Sequence, residues 1–428
     1  MRIGVDCKPL QEGAAGVQTY LRNLLRELAS VSELQLVCFY CAGLQPPDLP
    51  QGVDAGRVSG PWINNWIWME WQLPRAVWRM SRGECRVANA GLKPGISDQQ
   101  PATPGLRPGA RDVRPAAPDP RSATPNLQPV TCHLQPSALD LFHFPAYTAS
   151  SRLPCRKVVS VHDVSYATHP EWYPHAAGKA RQRFYRRSAE RSDHIITISH
   201  FSRSEILRVY AVSPERVTSI PLASGLEAIN GAPGWDRRST RRRYLLHVGD
   251  LHRRRNLLIA IEAFHMVASE QDLDFVFIGK DLGAAEAVRG HAARLGCAGR
   301  LHFLQDLPLE QMPPWYANAV ALVYPSLYEG FGLPLLEAMQ CACPVVASRA
   351  ASIPEVTGDA AWLVDPLNAG EIAAGIGAIL RQPETRELLV RKGKEQAARF
   401  SWKKTAAATT AVYREVLMAD KPNEAPVE

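Results

Sequence analysis

Two carboxylates lie eight positions apart in this chain, at Glu329 and Glu337, on either side of a loop with two glycines. Gly330 and Gly332 allow the backbone to bend and to come close to a ligand. Pro334 suits the first turn of a following helix, whose free N–H groups and dipole favour a phosphate. Since carboxylates accept hydrogen bonds from hydroxyl groups, this pattern predicts a ligand with phosphates and many hydroxyls, such as a nucleotide sugar.

The same stretch resembles the E-x7-E signature of the retaining glycosyltransferases of family 4, which have the two-domain GT-B fold. The resemblance runs from Tyr324-Pro-Ser326 through Ser352-Ile-Pro-Glu-Val356, Gly358-Asp-Ala360 and Val364-Asp-Pro366. It reappears at Phe400-Ser-Trp402, near the C-terminal helix. The residues alone also allow a strand–turn–helix joint with solvent-exposed glutamates, because short motifs have low specificity.

The resemblance implies roles for this loop. Glu329 contacts the sugar ring near its reacting face, and Glu337 holds the ribose hydroxyls. The other residues implied to bind the donor are Gly330, Phe331, Gly332 and Leu333. Glu329 is therefore a candidate catalytic residue, and the rest of the set is expected to bind the donor.

A predicted strand at residues 244–248 leads into Gly249-Asp-Leu-His-Arg-Arg-Arg-Asn256. Arginines after a strand end predict a clamp for a diphosphate, because guanidinium binds phosphate oxygens through paired hydrogen bonds. The stretch is similar to the family's Arg-Lys-Asn motif: Arg254 and Asn256 match it, and Arg255 stands where lysine is usual. The alternative is a basic, solvated loop.

Another predicted strand, at residues 157–161, ends in His162-Asp163. The resemblance here implies that His162 lies at the donor sugar, whereas the alternative is a structural histidine. A further strand at residues 193–199 precedes a helix that Ser202 or Ser204 could cap. Ser199 and Arg203 are candidates for contact with the cleft.

The start of the chain predicts a doubly wound sheet: a strand at Arg2–Asp6, a glycine loop at residues 11–17 and an amphipathic helix. The loop resembles the family's first-strand loop, which implies that Gly16 approaches the donor phosphate or the acceptor. Gly13 and Gly16 lack the G-x-G-x-x-G spacing, and this disfavours a nicotinamide enzyme.

The length of 428 residues predicts two domains. We expect an α/β GT-B fold, with two Rossmann-like, doubly wound domains facing a cleft and a C-terminal helix crossing back. The acceptor-side domain covers residues 1–225, a linker 226–243, the nucleotide-sugar domain 244–400, and the crossover helix and tail 401–428.

Two segments of the first domain depart from this pattern. Residues 83–136 are rich in Pro, Ala, Gly, Gln and Arg, and this composition predicts a disordered insertion. Residues 62–79 carry five tryptophans, Trp62, Trp66, Trp68, Trp71 and Trp78, together with Arg75 and Arg79. This segment fits either an amphipathic helix packed on its own domain, which we favour, or a peripheral contact with a membrane.

The composition of 46% hydrophobic and 21% charged residues is that of a globular protein, and the net charge of +7 is modest. No basic, aromatic-rich module indicates nucleic-acid binding. Cys38 and Cys41 have the spacing of a metal or redox pair, but a structural role is favoured. Asp272-Leu-Asp274 matches a metal-binding D-x-D, but we interpret it as a turn and expect no metal. With no signal peptide or membrane span expected, we predict a cytoplasmic protein, peripheral at the inner membrane.

The stretch from His162-Asp-Val164 to His169-Pro170 looks most like bacterial mannosyltransferases of surface-polysaccharide assembly, which favours GDP-mannose as donor and a lipid-linked glycan as acceptor. Alternatives are an epimerase or a phosphorylase on the same fold, or a non-enzymatic relative that binds nucleotide sugar. A phosphorylase needs a pyridoxal-binding lysine, which no segment suggests, and both glutamates are retained, which argues against a dead site.

Overall fold

The computed structural model describes residues 1–12, 15–42, 44–58, 68–81, 88–89, 138–173, 178–226, 242–268, 271–305 and 307–419. These residues form two α/β units, each built on a twisted sheet of parallel strands with helices packed against it. The predicted pair of Rossmann-like domains is confirmed. Within the described ranges, every helix is too short or too polar to cross a bilayer.

The first sheet has the strand order β4-β3-β2-β1-β5-β6-β7-β8, and only β4 runs antiparallel. Its order reverses between β1 and β5, and ligands of such sheets bind beyond the carboxyl ends of the strands at a reversal. The strands are β1 Arg2–Asp6, β2 Gln35–Cys41, β3 Asp54–Val58, β4 Ala88–Asn89, β5 Leu141–Phe144, β6 Arg156–Ser160, β7 His194–Thr197 and β8 Val217–Ser219.

The second sheet has the order β11-β10-β9-β12-β13-β14, and all its strands are parallel. Its order reverses between β9 and β12. The strands are nearly continuous apolar runs, as expected for a sheet covered by helices on both faces. They are β9 Arg243–Val248, β10 Leu273–Ile278, β11 Leu301–Leu304, β12 Leu322–Tyr324, β13 Val345–Ser348 and β14 Trp362–Val364.

The helices bury apolar stripes against these sheets. In α2 the stripe of Tyr20, Leu21, Leu24, Leu25 and Leu28 is fully buried, as its helical spacing predicts. The helices are α1 Lys8–Glu12, α2 Ala15–Leu28, α3 Leu73–Ser81, α4 Ser165–Thr168, α5 Lys179–Arg191, α6 His200–Val209, α7 Leu257–Ala268, α8 Ala285–Arg294, α9 Met312–Ala317, α10 Leu333–Gln340, α11 Ile353–Thr357, α12 Ala369–Arg381, α13 Pro383–Ala397 and α14 Trp402–Met418.

The last helix, α14, returns to the first domain, as predicted. Ser401 caps its N-terminus by accepting a hydrogen bond from the Lys404 amide. The Trp402 indole donates to the Ser224 carbonyl over 2.8 Å, and α14 packs against α2. Its Tyr413 hydroxyl shares a 2.7 Å hydrogen bond with His143 of β5.

Three local predictions are wrong. Residues 11–17 are not one loop, because Lys8–Glu12 is helical and α2 begins at Ala15. The cap of α6 is Ser199, whose hydroxyl accepts from the Ser202 amide, so neither Ser202 nor Ser204 caps it. Asp274 does not lie in a turn but in β10, where it is buried and bonded to His302.

The tryptophan-rich segment is described from Trp68 onward. Trp68 is buried and donates to Asp6, whereas Trp78 on α3 is 52% exposed. Trp62 and Trp66, the linker at 227–241 and most of the segment at 83–136 lie outside the described residues. Within that segment, Ala88–Asn89 form β4 against β3.

Cys38 and Cys41 are buried free thiols in β2. Because side chains alternate along a strand, residues three apart point to opposite faces of the sheet. The two thiols accordingly pack into different hydrophobic clusters. They cannot bind one metal ion together from this strand.

Candidate active site

The site is built at the strand-order reversal of the second sheet. β9 and β12 are neighbours there, so the segments that follow them meet beyond the same sheet edge. The turn Arg253–Arg255 follows β9, and the loop that carries Glu329 follows β12. The Leu327 amide donates to the Arg254 carbonyl over 2.8 Å, which ties the two segments together.

Glu329 is buried, and its carboxylate lies between two arginines. Arg255 donates from one Nη1 to both the Glu329 carboxylate and the Tyr324 hydroxyl. The Arg254 Nη2 lies 4.0 Å from the other carboxylate oxygen. A buried carboxylate is tolerable only with such partners, because an unpaired buried charge is very costly.

Arg254 also lies against the first domain. Its Nη1 is 3.7 Å from an Asp163 carboxylate oxygen. Burial lowers the pKa of Arg254, but the negative charges of Glu329 and Asp163 outweigh burial and raise it. The guanidinium is therefore firmly charged, as a group that neutralises phosphate must be.

His162 lies at the carboxyl end of β6, where the sequence predicted it. Its Nε2 bonds to the Pro145 carbonyl over 2.9 Å, and because a carbonyl only accepts, Nε2 carries the proton. Burial lowers the pKa of this imidazole, so the ring is neutral at physiological pH. Its ring packs edge-on against Tyr20 and Tyr147.

The loop that contains Gly330 comes close to the backbone of His162. A Cβ added to Gly330 would lie 2.8 Å from the His162 carbonyl oxygen, so only glycine allows this approach. Gly332 has a φ of +102°, which favours glycine, and Leu333 begins α10. Phe331 is buried against Phe400.

Glu337 is buried on the second turn of α10. One carboxylate oxygen accepts a 2.6 Å hydrogen bond from the Tyr316 hydroxyl. Burial raises the pKa of Glu337, and the bond from Tyr316 opposes that rise. Tyr316 thus holds one oxygen of this carboxylate in place.

The structure brings Arg254, Arg255 and Glu329 together, with His162 adjoining the same loop. It does not bring Gly16 into contact with them. Gly16 lies in the first turn of α2, and an added Cβ there would meet no atom within 4 Å. Its approach to the donor stays a prediction, as do the roles of the other site residues.

Sequence reasoning missed three contributors to the site. Asp163 pairs with Arg254, although it was quoted only beside His162. The Ser352 hydroxyl shares its one proton between the Glu329 and Phe331 carbonyls, at 2.9 and 3.1 Å, and its place in the Ser352-Ile-Pro-Glu-Val356 motif was a usable signal. Tyr316 had no signal, because its partner is 21 positions away.

Arg203 does not contact the cleft through its guanidinium, which donates to the Val217 and Pro214 carbonyls in its own domain. Within the ranges described above, no three His, Cys, Asp or Glu side chains are grouped to hold a metal ion. The charges at this site are therefore those of arginine and carboxylate. They can neutralise an anionic leaving group and accept hydrogen bonds from hydroxyls.

Two family profiles match the chain. The profile described as "Glycosyl transferases group 1" matches residues 236–396, which contain Arg254, Arg255 and both glutamates. The profile described as "Glycosyltransferase Family 4" matches residues 84–223, which contain His162. The second match extends over most of the segment at 83–136, whose character as an insertion stays a prediction.

Two curated relatives are mannosyltransferases. The O-antigen chain mannosyltransferase B of Escherichia coli is 32% identical over 288 residues, which cover 64% of this chain and 74% of that protein. The MMP alpha-(1->4)-mannosyltransferase of Mycolicibacterium hassiacum is 32% identical over 252 residues, which cover 54% of this chain and 56% of that protein. The chain thus spans about half to three quarters of the length of these relatives.

Among solved structures, sucrose-phosphate synthase from Thermosynechococcus elongatus superposes with a TM-score of 0.66 at 19% identity, covering 98% of this chain and all of that one. At this identity the likeness concerns the fold alone, and it agrees with the two-domain architecture described above. The family rests on the E. coli relative and the two profiles. The chain belongs to glycosyltransferase family 4, with the GT-B fold, and is a retaining glycosyltransferase that uses a nucleotide-sugar donor.

Proposed function

We propose that this enzyme transfers mannose from GDP-mannose to a hydroxyl of a lipid-linked glycan during the assembly of a bacterial surface polysaccharide, such as lipopolysaccharide O-antigen or exopolysaccharide. The observation that carries the reaction type is the buried Glu329 carboxylate between two guanidinium groups. The choice of mannose is supported by the names of the two relatives, and the O-antigen context by the first of them.

The donor binds with its diphosphate at the turn after β9 and its nucleoside along α10. Arg254 is charged and only partly exposed, so it can bind a diphosphate oxygen without losing its carboxylate partners. The amides of Gly332 and Leu333 at the start of α10 add donors, and the helix dipole favours the same negative charge. The free oxygen of Glu337 accepts from the ribose hydroxyls.

In the transfer step the bond between the anomeric carbon and the diphosphate oxygen breaks. The acceptor oxygen attacks the same face of the sugar, which retains the anomeric configuration. The departing diphosphate takes the acceptor proton, so no separate general base is required. Arg254 and Arg255 stabilise the charge that develops on the leaving group, a term usually among the largest in catalysis.

Glu329 and His162 bracket the sugar in this mechanism. Glu329 contacts the sugar ring, while its hydrogen bond from Arg255 holds the carboxylate in place. The neutral His162 presents Nδ1 as an acceptor, because Nε2 is engaged with Pro145. Closure of the two domains over the sugar excludes water and limits hydrolysis.

A lipid-linked acceptor requires contact with a membrane, and the first domain has a fitting surface. The basic side chains of α5 are exposed, and so are Trp78, Arg75 and Arg79 of α3. Those of α5 are Lys179, Arg181, Arg183, Arg186, Arg187 and Arg191. The segment before α3 adjoins α5, because Glu70 and Arg187 line one cavity of about 220 Å³. Aromatic and basic side chains together suit an anionic lipid surface.

The membrane contact is tested by sedimentation with vesicles of phosphatidylglycerol and of phosphatidylcholine. We expect binding to the anionic vesicles only, with loss in the variant Arg181→Glu/Arg183→Glu. The matched control, Lys394→Glu/Lys403→Glu, reverses two exposed charges elsewhere and should still bind. Equal vesicle binding by the two variants would contradict the proposal that this surface contacts the membrane.

The donor is tested by thermal shift with GDP-, UDP-, ADP- and dTDP-sugars, followed by transfer assays. A ligand that binds only the folded state stabilises it by about 2.7 kcal/mol at a hundred times its dissociation constant. We expect GDP-mannose to respond, and Glu337→Ala to abolish the response. A response to UDP-sugars alone would be consistent with a glycosyltransferase but would contradict the assignment of GDP-mannose as the donor.

A further inference from the structure

A hydrogen bond joins the two domains directly at the donor loop, which is the segment at residues 329–332. The Ser202 hydroxyl of α6, in the first domain, donates to the Gly330 carbonyl over 3.2 Å. Both residues are buried. This bond runs between a helix of one domain and the glycine loop of the other.

The same helix is held a second time from the opposite domain. The amides of His200 and Phe201, at the N-terminus of α6, donate to the two carboxylate oxygens of Glu355 over 2.8 and 3.2 Å. Ser199 caps the next free amide within the helix. A carboxylate at this position is favoured by both the free N–H groups and the helix dipole.

Three successive carbonyls of the donor loop are bonded to serine hydroxyls. Ser352, which directly precedes α11, shares its one hydroxyl proton between the Glu329 and Phe331 carbonyls, and Ser202 donates to the carbonyl between them. In a trans peptide the N–H points away from the preceding carbonyl. Fixing these carbonyls therefore fixes the direction of the amides of Gly330, Phe331 and Gly332.

Across the described ranges, no protein group accepts a hydrogen bond from these three amides. They are thus available to the donor, and their orientation depends on both domains. Ser352 bonds the loop from within the second domain, whereas Ser202 bonds it from the first. Glu355 belongs to the segment that Ser352 begins, so one element holds both the loop and α6.

We propose that Ser202 and Glu355 are positioning residues that link closure of the cleft to alignment of the donor-loop amides. The inference rests on the proposed function of that loop. Glu355 holds the N-terminus of α6 against the second domain, and Ser202 then orients the Gly330–Phe331 peptide. The amides are aligned to stabilise the transition state only in the closed enzyme. Sugar transfer therefore follows closure of the cleft.

The test compares Ser202→Ala and Glu355→Gln with Ser204→Ala, an exposed serine of the same helix whose hydroxyl bonds within α6. Transfer is measured with GDP-mannose, or with the donor that the thermal-shift panel selects. We expect each of the first two variants to lose about tenfold in kcat while the donor dissociation constant stays within about twofold. Ser204→Ala should match the wild type in both quantities.

A readout without catalysis separates this inference from the proposed function. Small-angle scattering of the free protein should give a larger radius of gyration for Ser202→Ala/Glu355→Gln than for the wild type and Ser204→Ala. An unchanged radius together with unchanged kcat would overturn the inference. So would a loss of donor affinity equal to the loss of kcat, because that indicates general damage to the site. If no nucleotide sugar is turned over, the proposed function fails and the radius alone decides the linkage.

Discussion

At the scale of single residues, the site depends on charges that compensate one another in a buried place. Glu329 is buried, and its carboxylate accepts a hydrogen bond from Arg255 and lies near the Arg254 guanidinium. Asp163 balances the second guanidinium from the other domain. Removing one partner leaves a buried charge unpaired, which costs more than the pair itself contributes. The cluster therefore tolerates few substitutions.

The variant Glu329→Ala should lower the transfer rate by a factor of about 100 to 1,000, because it removes the proposed contact with the sugar and leaves two guanidinium groups without the carboxylate between them. Steady-state transfer assays measure the effect. Glu387→Ala on α13 is the control, since its side chain is exposed and far from the cluster in sequence. Near-wild-type turnover in Glu329→Ala would sink the role assigned to this carboxylate.

Tyr316→Phe should weaken donor binding by up to about tenfold at pH 7, because Glu337 loses the hydrogen bond that holds its carboxylate. That bond also lowers the pKa of Glu337, so its loss raises the pKa further. Donor affinity should accordingly fall more steeply in the variant as the pH drops. Titration calorimetry at several pH values measures this, with Tyr244→Phe as control because its hydroxyl bonds the Trp315 carbonyl. Identical pH profiles for the two variants would contradict the role of Tyr316.

At the scale of elements, α14 is part of the first domain's core although the chain reaches it last. A buried chain of hydrogen bonds runs from Tyr413 through His143 and Ser160 to Tyr20. It joins α14, β5, β6 and α2 across four separate stretches of sequence. Such buried networks specify how elements dock, because each member needs every partner.

Tyr413→Phe should destabilise the protein by about 1–3 kcal/mol, because it leaves a nitrogen of the buried His143 without its partner. Urea unfolding followed by circular dichroism measures the change. Tyr40→Phe, at a half-buried position of β2, provides the same chemical change as a control. A smaller effect for Tyr413 than for Tyr40 would show that the network contributes little.

The elements could be predicted from the sequence wherever one local pattern decided them. The alternation of apolar strands and amphipathic helices predicted both sheets, and Arg2–Asp6 is a strand with the predicted bounds. The loop predicted at residues 11–17 was wrong because Gly13 and Gly16 indicated a longer loop than the structure has. Lys8–Glu12 is helical, and α2 begins at Ala15. Partners distant in the chain, such as Ser202 and Gly330, needed the packed structure.

At the scale of the whole molecule, several histidines are buried and neutral in both domains. Burial lowers the pKa of His143 and of His247 to about 3, and it also lowers the pKa of His162 and His194. Burial raises the pKa of Asp6 to about 6, which acts in the opposite sense. The sum of these shifts makes the stability of the protein depend on pH.

The midpoint of urea unfolding should fall as the pH is lowered from 7.5 to 5. A histidine whose folded pKa is depressed stabilises the fold fully above its unfolded pKa of about 6.5, and this contribution is lost as the pH falls towards about 3. At pH 5 the depressed pKa values of His143 and His247 each lower the free energy of unfolding by about 2 kcal/mol relative to pH 7.5. The raised pKa of Asp6 increases it by about 1 kcal/mol over the same range. His247→Gln should weaken the pH dependence, whereas His265→Gln, at an exposed site, should leave it unchanged. A midpoint independent of pH would contradict neutral burial.

The return of α14 to the first domain has a consequence for biosynthesis. Tyr413 and Trp402 of α14 contribute to the core of the first domain. The strands of that domain are synthesised much earlier, since β8 ends at Ser219. At 5–20 residues per second the delay between Leu226 and Trp402 is roughly 10 to 35 seconds. During that time the nascent first domain lacks α14, which packs against α2 in the finished protein. We expect chaperones to bind the nascent chain mainly during this interval, because apolar surface is then exposed. A chain truncated before α14 should expose the same surface and aggregate.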